Sequence, residues 1–183
     1  MTLTCLECQS YRIEEIVKGN LLYFYCSTCN RLYDRVMDTS YGKTLAVHDQ
    51  GGVTHKCVGA IIERANRFLL IKRRCYPFGY GLPAGHLEYG EQPLEGLTRE
   101  VAEETALSVS DNILIYEGEI PKSKCRYGSD RHYWYFYECN VNEHLTFLNA
   151  ESTCVGWYSL EEMNNLDLTP SARFIFEKID NRL

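Results

Sequence analysis

The sequence has no apolar run that approaches the roughly 18 residues of a membrane-spanning helix. Its first five residues lack both the basic and the apolar stretch of a secretion signal, so we expect neither a membrane segment nor export. Positive charge is also scarce, because 19 basic residues face 25 acidic residues and leave a formal net charge of −6. Proteins that bind nucleic acid need a basic surface to neutralise phosphates, so we expect no nucleic-acid partner.

The chain shows no low-complexity segment and, apart from two cysteine pairs, no internal repeat. Its 183 residues, 45% of them hydrophobic, suffice for one ordinary domain and a small appendage. We predict three parts: the appendage over residues 1–36, a glycine-containing linker over residues 37–54, and the main domain over residues 55–183.

Nine cysteines are present, but their arrangement is a poor disulfide framework. Four of them form two tight pairs near the N-terminus, and the others are irregularly spaced. An odd, irregular remainder indicates a reducing compartment, so we expect a cytoplasmic protein. We expect the remaining cysteines to behave as small buried hydrophobic side chains: Cys57, Cys75, Cys125, Cys139 and Cys154.

The two cysteine pairs have the spacing of a four-cysteine zinc site. Cys5 and Cys8 form the first pair, Cys26 and Cys29 form the second, and 17 residues separate the pairs. Four thiolates complete a tetrahedral shell around Zn²⁺ and leave no open position, so we interpret the site as structural. Iron in a rubredoxin-like site is one alternative, and four unrelated buried thiols without a metal are the other.

The segment between the pairs predicts a hairpin. Two β-prone runs, residues 11–17 and 21–25, meet at a turn-favouring sequence over residues 18–20. The appendage therefore resembles a zinc ribbon. Many ribbons have glycine after each cysteine pair, where the backbone is left-handed, whereas this chain has Gln9 and Asn30 at those positions.

Strands and helices alternate in the main domain. We predict one helix from Pro93 to about Thr105, and a second helix that begins near Pro170 with Thr169 as its N-cap. A loop rich in glycine and proline covers residues 77–90, and the predicted strands are residues 57–62, 68–71, 113–120, 132–141 and 155–158. Mixed strands with two helices in this order favour an α/β sandwich of layers.

Three glutamates in the first predicted helix have the spacing of a metal site. Glu100, Glu103 and Glu104 are spaced i, i+3 and i+4, so they project from one face of the helix. Their like charges repel unless a cation binds, and hard divalent cations such as Mg²⁺ or Mn²⁺ prefer such oxygen ligands. Arg99 precedes the cluster, and Glu91 from the preceding loop is its natural partner in an ion pair.

The segment from Gly85 to Leu107 resembles the Nudix box, a signature that spans 23 residues here. The fixed positions that match are Gly85, Glu91, Arg99, Glu100, Val101, Glu103, Glu104 and Leu107. One position differs, because Ala106 stands where glycine usually ends the helix. Alanine in that left-handed conformation costs about 1 kcal/mol, and the difference affects the helix end rather than the metal ligands.

The resemblance implies a Nudix hydrolase with an α/β/α sandwich and a mixed sheet, which cleaves the diphosphate linkage of a nucleoside diphosphate derivative. It implies that the three helix glutamates, with the carbonyl of Gly85, hold Mg²⁺ or Mn²⁺. Gly85 would also let the backbone turn into the site, while Glu91 and Arg99 would form a supporting ion pair. The implied general base is either a box glutamate or Glu151 on a later loop. Many members are homodimers, so a homodimer is a further expectation.

A zinc ribbon directly before a Nudix domain resembles two groups of enzymes. One is the NADH diphosphatases, whose identifying Ser-Gln-Pro-Trp-Pro-Phe-Pro-like run after the box is missing from residues 108–114. The other is a compact group of ADP-ribose and FAD diphosphatases, which the chain length and the approach to the box at residues 82–85 favour. ADP-ribose or FAD is therefore the expected substrate, with NADH and nucleoside triphosphates as alternatives.

Arginine and aromatic side chains outside the box are candidates for substrate contact. Arg73 and Arg74, near the end of a strand, are candidates for phosphate. The candidates to stack on a base are Tyr76, Phe78, Tyr80, Tyr133 and Trp134. Solvated arginines and core tyrosines are the alternative interpretations. The rival function is an inactive domain that senses a nucleotide, and the intact box glutamates argue against it.

Overall fold

The computed structural model describes residues 3–38, 45–47, 53–141 and 151–180. The cysteine pairs lie in a small unit of short strands, and the remaining strands and helices form a larger unit of layers beside it. Among the described residues, no helix combines the length and the apolar character that a membrane crossing needs.

Antiparallel strands bring the two cysteine pairs of the small unit together. β1 (Leu3–Thr4) pairs with β5 (Met37–Asp38). β2 (Ile13–Lys18), β3 (Leu21–Cys26) and β4 (Arg31–Tyr33) form a three-stranded sheet between them in the sequence. The predicted hairpin is therefore confirmed as β2 and β3.

The backbone turns after each cysteine pair through a left-handed residue. Gln9 has a φ angle of 59° and Asn30 has a φ angle of 54°. The first turn is closed by the amide of Gln9, which donates to the carbonyl of Cys5 over 2.9 Å. These are the positions at which many zinc ribbons have glycine, so the turn geometry that the resemblance implies is present without glycine.

A mixed sheet forms the middle layer of the larger unit. The bounds of its strands are β6 (Leu45–Val47), β7 (Val53–Arg64), β8 (Arg67–Arg73), β9 (Gly79–Gly81), β10 (Ala84–His86), β11 (Val109–Glu119), β12 (Arg131–Val141) and β13 (Ser152–Tyr158). The spatial order is β11, β12, β7, β8, β13, in which β12 and β7 are parallel and the other neighbours are antiparallel. β6 and β10 pair with β7, and β9 pairs with β8.

Helices cover both faces of this sheet. They are α1 (Pro93–Thr105), α2 (Leu160–Met163) and α3 (Pro170–Asp180). α1 has the bounds predicted for it, and α3 begins at the predicted proline, because proline suits the first turn of a helix, where its missing N–H is not needed. The short helix α2 was not predicted. The architecture is the α/β/α sandwich with a mixed sheet that the resemblance to the Nudix box implies.

Side-chain alternation along the central strand β7 builds one hydrophobic core on each face of the sheet. Val58 and Ile62 belong to the cluster that contains Leu97 of α1. Ile61 belongs to the opposite cluster, which contains Ile175 of α3. Because successive residues of a strand point to opposite faces, one strand serves both cores.

Short strands account for the main differences from the predicted elements. The loop predicted at residues 77–90 contains β9 and β10, and the linker predicted at residues 37–54 contains β5, β6 and the first residues of β7. Residues 39–44 and 48–52 of that linker lie outside the described residues. Strands of two or three residues are too short to show an alternation in the sequence, since the neighbouring strand decides whether they pair.

Candidate active site

A cavity of about 610 Å³ lies where α1, β10 and the segment between β11 and β12 meet. α1 brings the box glutamates to its wall, β8 brings an arginine, and β13 is preceded by a further glutamate. The residues of its wall that carry charge or metal-binding chemistry include Arg73, His86, Arg99, Glu100, Glu103, Glu104, Cys125, Arg126, His132 and Glu151.

Arg99 and Glu91 form the ion pair that the sequence predicts. The guanidinium Nε and Nη2 each lie 2.8 Å from one oxygen of the Glu91 carboxylate. Nη2 also donates to the carbonyl of His86 over 2.9 Å. Hydrogen bonds from Arg99 lower the pKa of Glu91, so the pair stays charged. It fixes α1 against the loop before the helix and against β10.

The same arginine faces two of the three helix glutamates. Its Nη1 lies 2.8 Å from Oε1 of Glu100 and 3.4 Å from Oε2 of Glu103. Burial raises the pKa of Glu100 to about 6, although Arg99 acts in the opposite direction. Glu103 is the accessible member of the cluster, since 60% of its side chain is exposed.

Glu104 is the most buried of the three, with 7% of the residue exposed. Burial raises the pKa of Glu104 to about 8, and the charge of Arg73 offsets only part of this effect. One carboxylate oxygen accepts the backbone N–H of Ala84 over 2.8 Å. Buried carboxylates of this kind need a cation to stay charged at neutral pH. The three glutamates are an all-oxygen donor set on one helix face and therefore fit a hard divalent cation such as Mg²⁺ or Mn²⁺.

Gly85 allows the Glu100 carboxylate to lie directly against β10. A Cβ atom on Gly85 would collide with the carboxylate carbon and both oxygens of Glu100. The expectation of a backbone turn at Gly85 was wrong, because the residue lies within the extended strand β10 and pairs with Val58. The position requires the absence of a side chain rather than an unusual backbone conformation.

The end of α1 has the strained geometry expected from the one departure in the box. Ala106 is left-handed, with φ of 57° and ψ of 21°, and its amide donates to the carbonyl of Ala102 over 2.9 Å. Alanine thus occupies a conformation that glycine adopts more easily, at the end of the helix that carries the glutamates.

Residues 53–179, which contain most of the layered unit, match the family model described as NUDIX domain. This chain belongs to the Nudix family. A curated relative, an ADP-ribose pyrophosphatase from Methanocaldococcus jannaschii, is 48% identical over 52 residues. That stretch covers 27% of this chain and 31% of the relative, so it spans less than a third of the relative's length.

Solved structures share the Nudix fold with this chain at low sequence identity. A NUDIX hydrolase from Nitrosomonas europaea is 24% identical, with a TM-score of 0.59 over 70% of this chain and 89% of that one. The NUDIX domain of Shewanella oneidensis NrtR, complexed with ADP ribose, is 19% identical, with a TM-score of 0.60 over 70% of this chain and 88% of that one.

The four predicted zinc ligands come together next to the Nudix domain. The Sγ atoms of Cys5 and Cys29 are 3.8 Å apart, and those of Cys8 and Cys26 are 3.7 Å apart. All four Sγ atoms lie within 4.8 Å of one another. The edge of a sulfur tetrahedron around Zn²⁺ is about 3.8 Å for Zn–S bonds of about 2.3 Å. The cysteine cluster therefore fits a zinc ion.

Glu151, the predicted loop candidate for the general base, lies in the wall of the Nudix cavity. Its Oε1 is 3.3 Å from Nη1 of Arg126, and its Oε2 accepts from the thiol of Cys75 over 3.4 Å. Its carboxylate is therefore held in place on the wall that also carries the box glutamates.

Arg126 connects the cavity to the small unit, a role that no pattern in the sequence predicts. Its guanidinium pairs with Glu15 of β2 at 2.9 Å and lies over the ring of Phe24 of β3, 4.6 Å from the centroid. Only 4% of its side chain is exposed. A lone arginine in a polar segment between two strands has no sequence pattern, so only the fold reveals its partners.

Two arginines of the cavity wall have a spare hydrogen-bond donor. The Nε atoms of Arg73 and Arg126 are buried and have no hydrogen-bond partner within the described ranges. A buried N–H without a partner is costly, and an anionic ligand in the cavity would supply one. Arg73 is thus one predicted phosphate contact that the structure places at the cavity.

Of the predicted substrate contacts, Arg74, Phe78, Tyr80 and Tyr133 do not line this cavity. Arg74 donates through Nε to the carbonyl of Asn20 over 3.1 Å, so it joins β8 to the hairpin of the small unit. Tyr80 packs against Tyr158 with the ring centroids 5.4 Å apart. Tyr133 donates to Glu117 over 3.0 Å.

The reason for these placements is strand alternation, which sends neighbours on a strand to opposite faces. Trp134, next to Tyr133, lines the cavity, and so does Tyr76. Tyr127 and Phe136 also line the cavity, so its wall contains several aromatic rings that can contact a base.

Proposed function

We propose that this protein is a metal-dependent hydrolase that cleaves the diphosphate linkage of a nucleoside diphosphate derivative and releases a nucleoside monophosphate. The observation that carries the proposal is that two glutamates and two arginines line the same cavity. Burial raises the pKa values of Glu100 and Glu104, and Arg73 and Arg126 each have a buried Nε–H without an acceptor among the described residues. The carboxylates can bind a metal cation, and the guanidinium groups can bind phosphate oxygens. A metal-bound diphosphate satisfies both sets of groups.

Glu100, Glu103 and Glu104 are the residues that would hold Mg²⁺ or Mn²⁺. The ion, when bound, neutralises phosphate charge and makes a bound water more acidic. The ion pair of Arg99 and Glu91 orients α1, and the absent side chain of Gly85 gives Glu100 its position. The carbonyl of Gly85 stays a predicted further ligand.

Arg73 and Arg126 bind and orient the diphosphate. Each offers a buried Nε–H that no described residue accepts, so phosphate oxygens would complete their hydrogen bonding. Because both are held by the fold, the phosphorus atom under attack is positioned before the reaction starts.

Glu151 is the proposed general base. A water oxygen attacks one phosphorus atom in line, the bond from that phosphorus to the bridging oxygen breaks, and the second phosphate leaves. Glu151 accepts the proton of the attacking water. Its support is its place in the cavity wall and its fixed orientation against Arg126. A box glutamate is the alternative base, and Glu103 is the most accessible of them.

ADP-ribose or FAD is the proposed substrate. Three observations support this choice: the name of the curated relative, the ADP ribose complex of the NrtR domain, and the missing NADH-type element at residues 108–114. The four-cysteine cluster is proposed to hold a structural Zn²⁺, because its sulfur atoms leave no open position in a tetrahedral shell.

A substrate screen tests the proposal. ADP-ribose, FAD, NADH, nucleotide sugars and nucleoside triphosphates are each incubated with Mg²⁺ or Mn²⁺, and the products are separated by chromatography. We expect AMP from ADP-ribose or FAD at a higher kcat/KM than from NADH. Hydrolysis in ¹⁸O-labelled water then identifies the phosphorus atom that is attacked.

Two outcomes of the screen contradict the proposal in different ways. Preference for NADH or for nucleoside triphosphates would keep the chemistry and change the substrate. Tight binding of ADP-ribose without turnover at any metal concentration would instead indicate a nucleotide-sensing module. Light scattering on the same preparation tests the expected homodimer.

A further inference from the structure

A second cluster of metal-binding side chains lies beside the box glutamates. It consists of His55 on β7, His86 on β10, His132 on β12 and Cys125 between β11 and β12. His55 and His132 are register partners in the parallel pair of β7 and β12, and His86 lies on the strand that pairs with β7 in the same region. Four separate segments of the chain therefore deliver one donor group each to one place.

The spacing of the donor atoms is that of a tetrahedral zinc site. Nε2 of His86 and Nε2 of His132 are 3.4 Å apart, and Sγ of Cys125 is 3.5 Å from Nδ1 of His55. For Zn–N bonds of about 2.05 Å and a Zn–S bond of about 2.3 Å, the expected edges are about 3.3 Å and about 3.6 Å. All four donor atoms lie within 4.8 Å of one another.

The surroundings fix the orientation of one of the imidazoles. Nδ1 of His132 contacts the carbonyl of Ser123, so this nitrogen carries the proton and donates it. Nε2 is then the nitrogen with a free lone pair, and it faces the cluster. Metal-binding histidines generally use this arrangement, in which the second nitrogen donates to a carbonyl.

Burial and donor type distinguish this cluster from the glutamate site. His55, His132 and Cys125 are 1%, 2% and 6% exposed, and His86 is half-buried in the cavity wall. The cluster contains no carboxylate. Imidazole and thiolate ligands select borderline metals such as Zn²⁺, whereas Mg²⁺ and Mn²⁺ prefer the oxygen atoms of the box.

We propose that His55, His86, Cys125 and His132 bind a Zn²⁺ ion that is separate from both the four-cysteine site and the box metal. The ion attaches the segment between β11 and β12 to β7, β10 and β12. That segment carries Arg126, which reaches both Glu151 and the small unit. The zinc therefore holds one wall of the cavity against the sheet and has a structural role.

The zinc content of the full-length protein tests the proposal. The protein is purified without added zinc and exchanged into buffer with excess Mg²⁺, so that the box glutamates do not retain zinc. By ligand count we expect about two zinc ions per chain by elemental analysis. Cys125→Ser should lower the content by about one, and the matched control Cys139→Ser, a buried cysteine of the α1-side core, should not change it.

Zinc X-ray absorption of the unmutated protein makes the test independent of whether a variant folds. With both sites filled, the mean shell holds about 2.5 sulfur and about 1.5 nitrogen atoms per zinc, since three imidazoles and five thiolates share two ions. A Cys26→Ser protein should retain a zinc with mostly nitrogen ligands. A shell of four sulfur atoms in the unmutated protein, with a zinc content that Cys125→Ser does not change, overturns the proposal.

Discussion

The guanidinium of Arg126 donates to the carboxylate of Glu15 over 2.9 Å, and this ion pair joins the small unit, which contains the four cysteines, to the wall of the Nudix cavity. The same guanidinium reaches Glu151 on its other side. A residue of the small unit thus bears on the position of two groups that we propose for phosphate binding and proton transfer.

Removal of this ion pair should weaken substrate binding. For Glu15→Ala we expect KM to rise by up to about five-fold with kcat little changed, because the Glu15 partner is half-exposed and solvent screens its attraction to the buried Arg126. Glu14→Ala is the matched control, since Glu14 is the exposed neighbour on the same strand and points to the other face. Equal KM values for the two variants would mean that the ribbon does not influence the cavity.

The box glutamates should be essential for turnover. For Glu103→Gln and Glu104→Gln we expect kcat to fall by about three orders of magnitude or more, because each removes a charge that binds the metal. The fold should persist, since the amide oxygen at position 104 can still accept the N–H of Ala84. Glu138→Gln, at an exposed position of β12, serves as control. Steady-state kinetics and Mg²⁺ titration calorimetry give the readouts, and normal kcat in both box variants would remove the proposed mechanism.

Stability should depend on pH through Glu104 when no divalent cation is added. The pKa of Glu104 is about 8 in the folded protein and ordinary in the unfolded chain, so the folded state holds a proton that the unfolded state has lost. The free energy of unfolding should therefore fall as pH rises from about 5 to about 8. Thermal unfolding at several pH values measures this slope.

Two changes should flatten the slope. Mg²⁺ favours the charged carboxylate, and Glu104→Gln removes the titrating group, so each should reduce the loss of stability above pH 5. Burial also raises the pKa of Glu100 to about 6, and this group adds to the slope only at the acidic end. A slope that Glu104→Gln leaves unchanged would assign the effect to another group.

Proton transfer by Glu151 should be visible in the pH profile. Glu151→Gln should lower kcat and remove the acidic limb of the kcat profile if this carboxylate accepts the proton of water. A purely positioning role, through Arg126, would raise KM and leave that limb in place. A near-normal kcat with an unchanged profile would transfer the role of base to a box glutamate.

The left-handed end of α1 offers a test of backbone strain. Ala106→Gly should stabilise the protein by up to about 1 kcal/mol, because glycine adopts a φ angle of 57° without the clash that alanine has. The same change at Ala102, inside the helix, should destabilise by about 0.5–1 kcal/mol. Denaturant unfolding compares the two, and a loss of stability in both variants would contradict the assignment of strain to Ala106.

The sequence alone determined the features that depend on local spacing. Glutamates at i, i+3 and i+4 lie on one helix face wherever the helix is placed, and α1 has the predicted bounds. The spacing of the cysteine pairs likewise predicts a four-cysteine site, and the resemblance to a zinc ribbon implies the left-handed turns at Gln9 and Asn30. Such features can be predicted without knowing which distant segments of the chain pack together.

The tertiary structure decided everything that depends on the register and order of the strands. The parallel pairing of β7 and β12 brings His55 beside His132, which are far apart in the sequence. The small unit packs beside the cavity, so that Arg126 pairs with its Glu15. Strand alternation directs Tyr133 away from the cavity that Trp134 lines. These contacts arise because strand pairing and layer packing bury apolar surface from the whole chain. A short stretch of sequence therefore does not predict which distant residues come into contact.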